Sequence, residues 1–226
     1  GMQGRVSWQM LRCAPDAFFV PSQALPAISK TSVTVVHDLG PLRYPKMYDV
    51  SVRRSVAAAT RCAVKKAKKI FVVSQFTANE LKHFFGGPDE QMVIAPNAVD
   101  DSVYLPLADE MVSKVLSRYK LGRHFFIMVG RDVPNKNREL ALRAFEQFKS
   151  TRGVGDPYEL VEIGPGHSAP PFPRGGEGGF RWFDYLPADD IAAILNVATA
   201  LLAPSLYEGF GMPVLEAMAH GLPVVV

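Results

Sequence analysis

The sequence predicts an α/β protein with two domains, each built around a parallel sheet. Short runs of β-branched and aromatic residues alternate with segments of helical periodicity in both halves of the chain, a pattern typical of parallel βαβ units. Strong periodicity is lost over residues 98–123, apart from one helical segment. We therefore place a domain boundary there and expect one domain at residues 1–97 and a second at residues 98–226.

The first half contains predicted strands that are short apolar runs bounded by polar residues or proline. These strands lie at residues 17–20, 33–36, 70–73 and 92–95. A helix is expected at residues 49–69. A second helix is expected to begin near Ser74, with a capping box at residues 77–80, and to stop at Gly86-Gly87-Pro88.

The predicted helix at residues 49–69 separates apolar from basic side chains. At about 100° per residue, one side collects Val52, Val56, Ala59, Ala63, Ala67 and Ile70. The other side collects Arg53, Arg54, Arg61, Lys65, Lys68 and Lys69. We favour a helix that packs on a sheet and exposes its basic face to solvent. The alternative is that the basic face is attracted to anionic lipid or to an anionic acceptor.

The second half repeats the alternation. Its predicted strands lie at residues 125–129, 158–163, 180–183, 200–203 and 222–226, and its predicted helices at residues 109–119, 137–150 and 189–197, with a further short helix near Pro213. Residues 164–179 contain six glycines and four prolines and are predicted to form a mobile surface loop.

Composition excludes several classes of protein. The formal net charge of +3 is too small to indicate nucleic-acid binding by itself, and no segment reaches the roughly 18 uninterrupted apolar residues of a membrane span. Cys13 and Cys62 lie far apart without metal-ligand spacing, so neither a disulfide framework nor a zinc site is predicted. These features favour a reducing, cytoplasmic setting.

The chain is organised around residues 205–223, which read as a strand end, a tight turn and a short helix. Two carboxylates, Glu208 and Glu216, flank a turn that contains Gly209 and Gly211. Glycine permits close approach of the backbone to a ligand, and a helix that starts near Pro213 would direct its free amides and positive dipole end at that ligand. The stretch therefore predicts an anion site.

A second candidate segment follows the predicted strand at residues 125–129. Arg131 and Lys136 lie in the loop between this strand and a helix that Asn137 is expected to cap. Ligands bind at the carboxyl edge of parallel sheets, so we expect both cations to project toward the same crevice as the glycine turn. Two fixed cations and a helix N-terminus suit a diphosphate.

His37 and Asp38 end the predicted strand at residues 33–36. A lone histidine is more often structural than functional, but a position at the carboxyl end of a strand favours a role in the site. The other histidines have no such context.

Residues 204–224 carry the string Pro-Ser-x-x-Glu-Gly-Phe-Gly-x-Pro-x-x-Glu-Ala-x-x-x-Gly-x-Pro-Val. This string resembles the donor-site motif of family-four retaining glycosyltransferases, which have the GT-B fold of two facing Rossmann-like domains. Further matches follow in order along the chain: His37-Asp38-Leu39, Val73-Ser74 with Phe76-Thr77, Pro96-Asn97-Ala98-Val99-Asp100, and Gly130-Arg131 with Lys136-Asn137. The resemblance spans about residues 8 to 226.

The resemblance implies roles for the residues at the sugar end of the donor. Glu208 would contact hydroxyls of the donor sugar, and His37 would hydrogen-bond the transferred sugar from the opposite domain. The amides of Gly209, Phe210 and Gly211 would hold the sugar and the phosphate.

The resemblance also implies roles at the nucleotide end. Glu216, expected in the first helical turn, would accept hydrogen bonds from the ribose, and Arg131 and Lys136 would neutralise the departing diphosphate. No metal and no cofactor are implied, because the two cations replace a metal. The implied chemistry is front-face transfer with retention, in which the diphosphate can serve as the base.

The sequence departs from the family pattern in three respects. Ala98 stands where the family usually has glycine, and Asp184 stands where it usually has glycine before tyrosine. Family members also extend further at both ends, so we expect residues 1–97 to be a partial acceptor-side domain and residues 98–226 a partial nucleotide-sugar-binding domain.

The resulting hypothesis is a hexosyltransferase that uses a nucleotide sugar and acts on a saccharide or lipid-linked saccharide. Residues 36–45 look like those of bacterial mannosyltransferases, which favours GDP-mannose as the donor. The alternative is a catalytically silent nucleotide-sugar-binding fragment of such an enzyme. Peripheral contact with an anionic membrane is a further expectation, whereas nucleic-acid binding is not, because the basic helix lacks interleaved aromatic residues.

Overall fold

The computed structural model describes residues 8, 12–13, 15–25, 31–87, 89–100, 107–153, 155–166 and 179–226. The chain divides into two compact units, Gly1–Asn97 with Tyr207–Phe210, and Ala98–Leu206 with Gly211–Val226. Most of the loop predicted at residues 164–179 lies outside the described residues, as do residues 101–106 of the predicted boundary segment. The division of the chain into acceptor and donor domains stays a prediction.

The first unit contains a parallel sheet with strand order β1-β2-β3-β4. Its strands are β1 (Phe18–Val20), β2 (Ser32–Val36), β3 (Lys69–Val72) and β4 (Met92–Ile94). Its helices are α1 (Gly40–Arg43), α2 (Val50–Lys66) and α3 (Gln75–Phe85), with single 3₁₀ turns at Pro45–Met47 and Asp89–Gln91. The short helix α1 was not predicted.

Helix α3 shows how local chemistry sets its ends. The Ser74 hydroxyl accepts a hydrogen bond from the Thr77 amide at 3.0 Å, so Ser74 is the N-cap, as predicted. Gly86 ends the helix in the left-handed conformation at φ 65°. The capping box predicted at residues 77–80 is wrong, because Thr77 already lies in the first helical turn and Glu80 is buried further along the helix.

Helix α2 is shorter and less buried than its sequence pattern predicts. It ends at Lys66, because Ala67 is extended and leads into β3. Its buried residues are Thr60 and Ala63, whereas Val52, predicted on the apolar side, is 42% exposed. The fully buried residues of α2 therefore lie in its C-terminal half, and the partly buried Val56 also packs against the core.

The second unit contains a parallel sheet with strand order β7-β6-β5-β8-β9. Its strands are β5 (Phe125–Val129), β6 (Glu159–Ile163), β7 (Phe180–Phe183), β8 (Ala200–Leu202) and β9 (Val224–Val225). Its helices are α4 (Asp109–Tyr119), α5 (Arg138–Arg152), α6 (Ala188–Leu195) and α7 (Met212–Ala219), with a 3₁₀ turn at Pro134–Lys136. The predicted α/β class with parallel sheets is confirmed.

Each unit has its own core, and each sheet presents a carboxyl edge. Val36, Ile70 and Leu81 are fully buried in the first unit, while Phe125 and Leu160 are fully buried in the second. The candidate residues predicted from the sequence follow strands at these edges. Within the described part of the chain, no helix combines the length and the apolar character that crossing a membrane requires.

Candidate active site

The structure distributes the predicted site residues over both units. The first unit contains His37, Glu208, Gly209 and Phe210, and the second unit contains Arg131, Lys136, Gly211 and Glu216. The glycine turn therefore crosses from one unit to the other within a few residues. No local sequence pattern indicates this crossing.

The segment Tyr207–Phe210 is anchored in the first unit through Tyr207. The Leu39 amide donates a hydrogen bond to the Tyr207 hydroxyl at 3.0 Å. The buried Tyr207 ring packs against Phe76 and Tyr44, with ring centroids 5.3 and 6.0 Å away. Burial raises the pKa of this phenol, so Tyr207 remains a neutral anchor at all physiological pH values.

Gly209 is held by polar contacts from the carboxyl edge of the first sheet. Its carbonyl oxygen accepts hydrogen bonds from the Ser74 hydroxyl at 2.6 Å and from the Thr77 hydroxyl at 3.2 Å. A Cβ atom at Gly209 would overlap the carbonyl oxygen of His37 and lie 3.1 Å from Cβ of Asp38. From the sequence we expected Gly209 to allow close approach of the backbone to a ligand. The structure shows that it allows close approach to the backbone of His37.

Asp38 and Tyr48 place two polar groups beside the Tyr207–Phe210 segment. The Gly40 amide donates a hydrogen bond to Oδ1 of Asp38 at 3.0 Å. A Cβ atom built at Gly40 would lie 3.1 Å from the Tyr48 hydroxyl and 3.3 Å from the same Asp38 oxygen, so these two oxygens converge over Gly40. The pKa of Tyr48 is raised, mainly by its partial burial and to a lesser extent by the negative charges of Asp38 and Glu208. Tyr48 therefore stays protonated and can donate a hydrogen bond.

His37 directly follows β2, as predicted, and its side chain is exposed. Its Nε2 lies 3.0 Å from the carbonyl oxygen of Pro21, an atom that can only accept. Nε2 therefore carries the hydrogen, and Nδ1 is the acceptor in the neutral ring.

The loop after β5 places Lys136 over the backbone of Gly130. A Cβ atom at Gly130 would lie 3.4 Å from Cε and 3.7 Å from Nζ of Lys136, so the side chain folds back over the strand end. Arg131, which directly follows Gly130 in the chain, is exposed. Asn137 is the N-cap residue of helix α5, as predicted, but it has φ 52° and its side chain makes no cap hydrogen bond. Its left-handed backbone instead turns the chain from the 3₁₀ turn into the helix.

An ion pair that was not predicted from the sequence attaches the end of this loop to β6. Arg138, the first residue of α5, donates from Nε and Nη2 to both carboxylate oxygens of Glu162 on β6 at 2.8–2.9 Å. The Glu162 side chain is fully buried and that of Arg138 is 13% exposed. The pair fixes the start of α5, which lies two residues after Lys136.

Helix α7 begins one residue earlier than the sequence suggested. Gly211 is its N-cap residue at φ 90°, and Pro213 occupies the second helical position rather than the first. Glu216 is consequently the fifth helical residue and lies in the second turn, so its predicted place in the first turn is wrong. The Leu206 amide donates to the Asn135 carbonyl at 2.8 Å, which connects the chain before the turn to the Lys136 loop.

Tyr48, Ser74, Thr77 and Tyr207 are contact residues that sequence reasoning did not assign to the site. Ser74 and Thr77 were quoted as motif matches, which was the available signal for them. Tyr48 had none. Among the residues that the structure describes, no group of three or more His, Cys, Asp or Glu side chains could hold a metal ion.

Comparison with known proteins gives two family matches that together cover most of the chain. The model "Glycosyl transferases group 1" matches residues 117–226, and the model "Glycosyltransferase Family 4" matches residues 8–103. The chain belongs to the glycosyltransferases. Both matches agree with the motifs and with the two parallel sheets.

The relatives of this glycosyltransferase chain include mannosyltransferases at low identity. It is 28% identical to O-antigen chain mannosyltransferase B of Escherichia coli over 98% of this chain and 59% of that protein. It is 23% identical to O-antigen chain mannosyltransferase RfbU of Salmonella typhimurium over 89% of this chain and 53% of that protein. The chain thus spans somewhat more than half the length of these relatives.

Solved glycosyltransferase structures confirm the GT-B fold class. Anabaena HepE in complex with UDP-glucose aligns with a TM-score of 0.75 at 18% identity, covering 99% of this chain and 62% of that one. WaaG, a glycosyltransferase involved in lipopolysaccharide biosynthesis, aligns with a TM-score of 0.74 at 16% identity, covering 97% of this chain and 61% of that one.

Proposed function

We propose that the protein transfers a hexose, with retention, from a nucleotide sugar to a saccharide or lipid-linked saccharide. The mannosyltransferase relatives support mannose as the sugar and GDP-mannose as the donor. HepE was solved with UDP-glucose, which supports a nucleotide sugar as the class of donor. The comparisons do not favour the alternative of a catalytically silent binding fragment.

The observation that carries this proposal is the position of Lys136. Its ammonium group lies over Gly130 at the carboxyl edge of β5, and the exposed Arg131 directly follows Gly130 in the chain. Ligands of parallel α/β sheets bind at this edge. Two cations there would bind the diphosphate and stabilise the charge that develops on it as the sugar leaves, so the proposed reaction uses neither a metal nor a cofactor.

The proposed sugar contacts come from the first unit. The Glu208 carboxylate would accept hydrogen bonds from donor-sugar hydroxyls, and Nδ1 of His37 would accept one because its Nε2 already donates to Pro21. The amides of Gly209 and Phe210 would donate to the sugar or the phosphate. In this reaction the bond from the anomeric carbon to the diphosphate oxygen breaks, and the acceptor oxygen bonds on the same face while its proton passes to the diphosphate.

The remaining proposed contacts are at the nucleotide end. The Gly211 amide at the start of α7 would donate to the phosphate, and Glu216 in the second turn would accept hydrogen bonds from the ribose hydroxyls. The cytoplasm, where nucleotide sugars are made, is the proposed location. The exposed basic residues of α2, among them Arg54, Arg61 and Lys65, are the proposed peripheral contact with an anionic membrane.

Calorimetry with GDP-mannose, GDP, UDP-glucose and UDP tests the donor proposal. We expect GDP-mannose to bind more tightly than UDP-glucose. A preference for the uridine nucleotides would overturn the mannose assignment, and an absence of binding by all four would overturn the nucleotide-sugar proposal. Transfer to a saccharide acceptor, detected by release of GDP, separates an enzyme from a silent binding fragment.

Replacement of Lys136 by alanine should weaken donor binding by about tenfold, because one charge-assisted contact to the diphosphate is lost. Lys114→Ala is the matched control, since Lys114 lies on α4 and pairs with Glu110 at the surface. We expect calorimetry to give an unchanged donor affinity for this control. Equal affinities for the Lys136 variant and the unaltered protein would remove Lys136 from the site.

A further inference from the structure

We propose that Ser74 and Thr77 are positioning residues that orient the Phe210 amide toward the donor. This inference rests on the proposed function, because the Phe210 amide is a proposed contact of the donor. Ser74 and Thr77 lie at the start of α3, and Gly209 lies 135 and 132 positions later in the chain. Their shared target is the Gly209 carbonyl oxygen.

The carbonyl of Gly209 and the amide of Phe210 belong to one peptide group. The described chain has no cis peptide bond, so this group is planar and trans, and the Phe210 N–H points opposite to the Gly209 C=O. Two hydroxyl donors that fix the carbonyl therefore also fix the direction of the N–H. They polarise the peptide as well, which makes the Phe210 amide a stronger donor.

The hydroxyl hydrogens are available for this task because helix capping does not use them. The Ser74 oxygen caps α3 by accepting from the Thr77 amide, which leaves its single hydrogen for the Gly209 carbonyl at 2.6 Å. The Thr77 hydroxyl lies 3.1 Å from Oγ of Ser74, 3.2 Å from the Gly209 carbonyl oxygen and 3.4 Å from the His37 carbonyl oxygen, so its one hydrogen is shared among these acceptors. Its side chain is fully buried, so this geometry is fixed by packing.

Glu208 directly precedes this peptide group, and the Tyr207 anchor precedes Glu208. The segment is thus fixed on both sides of the proposed sugar-binding carboxylate, by the Leu39 amide before it and by the two hydroxyls after it. Loosening the second attachment would let Glu208 and the Phe210 amide adopt other directions. The proposed transfer would then lose stabilisation of its transition state.

Two pairs of variants separate positioning from capping and packing. Ser74→Asp keeps a side-chain acceptor for the cap but removes the donor, whereas Ser74→Thr keeps both. Thr77→Val keeps the volume but removes the hydroxyl, whereas Thr77→Ser keeps the hydroxyl. We expect Ser74→Asp and Thr77→Val to behave alike, and Ser74→Thr and Thr77→Ser to retain most of the properties of the unaltered protein.

The test measures amide hydrogen exchange of residues 207–211 by mass spectrometry on the full chain, together with kcat and KM for the donor. Ser74→Asp and Thr77→Val should exchange about tenfold faster in this segment, because its hydrogen-bonded closed state is less populated. Their kcat should fall about tenfold with a smaller change in KM, because the lost interaction acts mainly in the transition state.

Exchange equal to that of the unaltered protein in both donor-deleted variants would overturn the inference. Equal losses in all four variants would also overturn it, since they would indicate a packing role. If the unaltered protein transfers no sugar, the proposed function fails by itself, while the exchange comparison still decides whether the hydroxyls orient the segment.

Discussion

Replacement of Glu162 by alanine is expected to lower the free energy of unfolding of the second unit by about 3–5 kcal/mol. The Glu162 carboxylate is fully buried on β6 and receives three hydrogen bonds from Arg138. Without it, the guanidinium of Arg138 would remain largely buried and lose its counter-charge. The free energy of unfolding can be measured by chemical denaturation followed by tryptophan fluorescence. A Trp8→Phe background leaves Trp182 as the reporter, and Trp182 is the register partner of Glu162 on the neighbouring strand β7.

Two controls make this prediction specific to the buried ion pair. Glu159→Ala removes a carboxylate from the same strand that pairs with the more exposed Arg181, and should cost about 1 kcal/mol or less. Replacing Glu162 by leucine and Arg138 by methionine together should recover much of the lost stability. A Glu162→Ala variant no less stable than Glu159→Ala would show that the pair does not support the fold.

Replacement of Gly209 by alanine is expected to reduce the proposed sugar transfer by about 100-fold, because displacing reacting groups by an ångström has effects of that size. The new Cβ atom would overlap the His37 carbonyl oxygen, so the segment or the end of β2 must move. The displacement would shift Glu208 and His37 together. The free energy of unfolding of the variant should also be lower by about 1–3 kcal/mol, as expected for overpacking.

Gly122→Ala is the matched control for this substitution. A Cβ atom at Gly122 would meet no atom within 4 Å, and its backbone does not require glycine. This control should leave GDP release and thermal unfolding unchanged or slightly raise the melting temperature, because alanine restricts the unfolded chain. Transfer by Gly209→Ala at the rate of the unaltered protein would contradict the close approach to His37.

The sequence predicted the order and type of the main elements because their periodicities are local. The strand Phe125–Val129 and the helix Asp109–Tyr119 have the predicted bounds, since each is a continuous apolar or amphipathic run between clear breaks. Local ambiguity produced the errors. Proline is acceptable at either of the first two helical positions. We predicted the first position for Pro213, and this placed Glu216 one turn too early in the helix.

The contacts that anchor the glycine turn could not be predicted from local pattern. Ser74 and Gly209 are separated by 135 positions, and no periodicity relates residues so distant. The ion pair between Arg138 and Glu162 was hidden for a different reason, since a charged residue within a strand pattern is normally taken as solvent-facing. The roles of His37, Glu208, Arg131 and Lys136 stay predictions. The structure shows that His37 directly follows β2 and that Arg131 and Lys136 lie in the loop after β5.

The excursion of Tyr207–Phe210 into the first unit has a consequence for dissecting the protein. A fragment cut at Asn97, the obvious place to divide the gene, would lack four residues that belong to its own fold. The Leu39 amide would lose the Tyr207 hydroxyl as its acceptor, and the Ser74 hydroxyl would lose the Gly209 carbonyl. The ring faces of Tyr44 and Phe76 that pack against Tyr207 would be uncovered. Grafting those four residues back through a short linker, or adding them as a peptide, would restore these contacts.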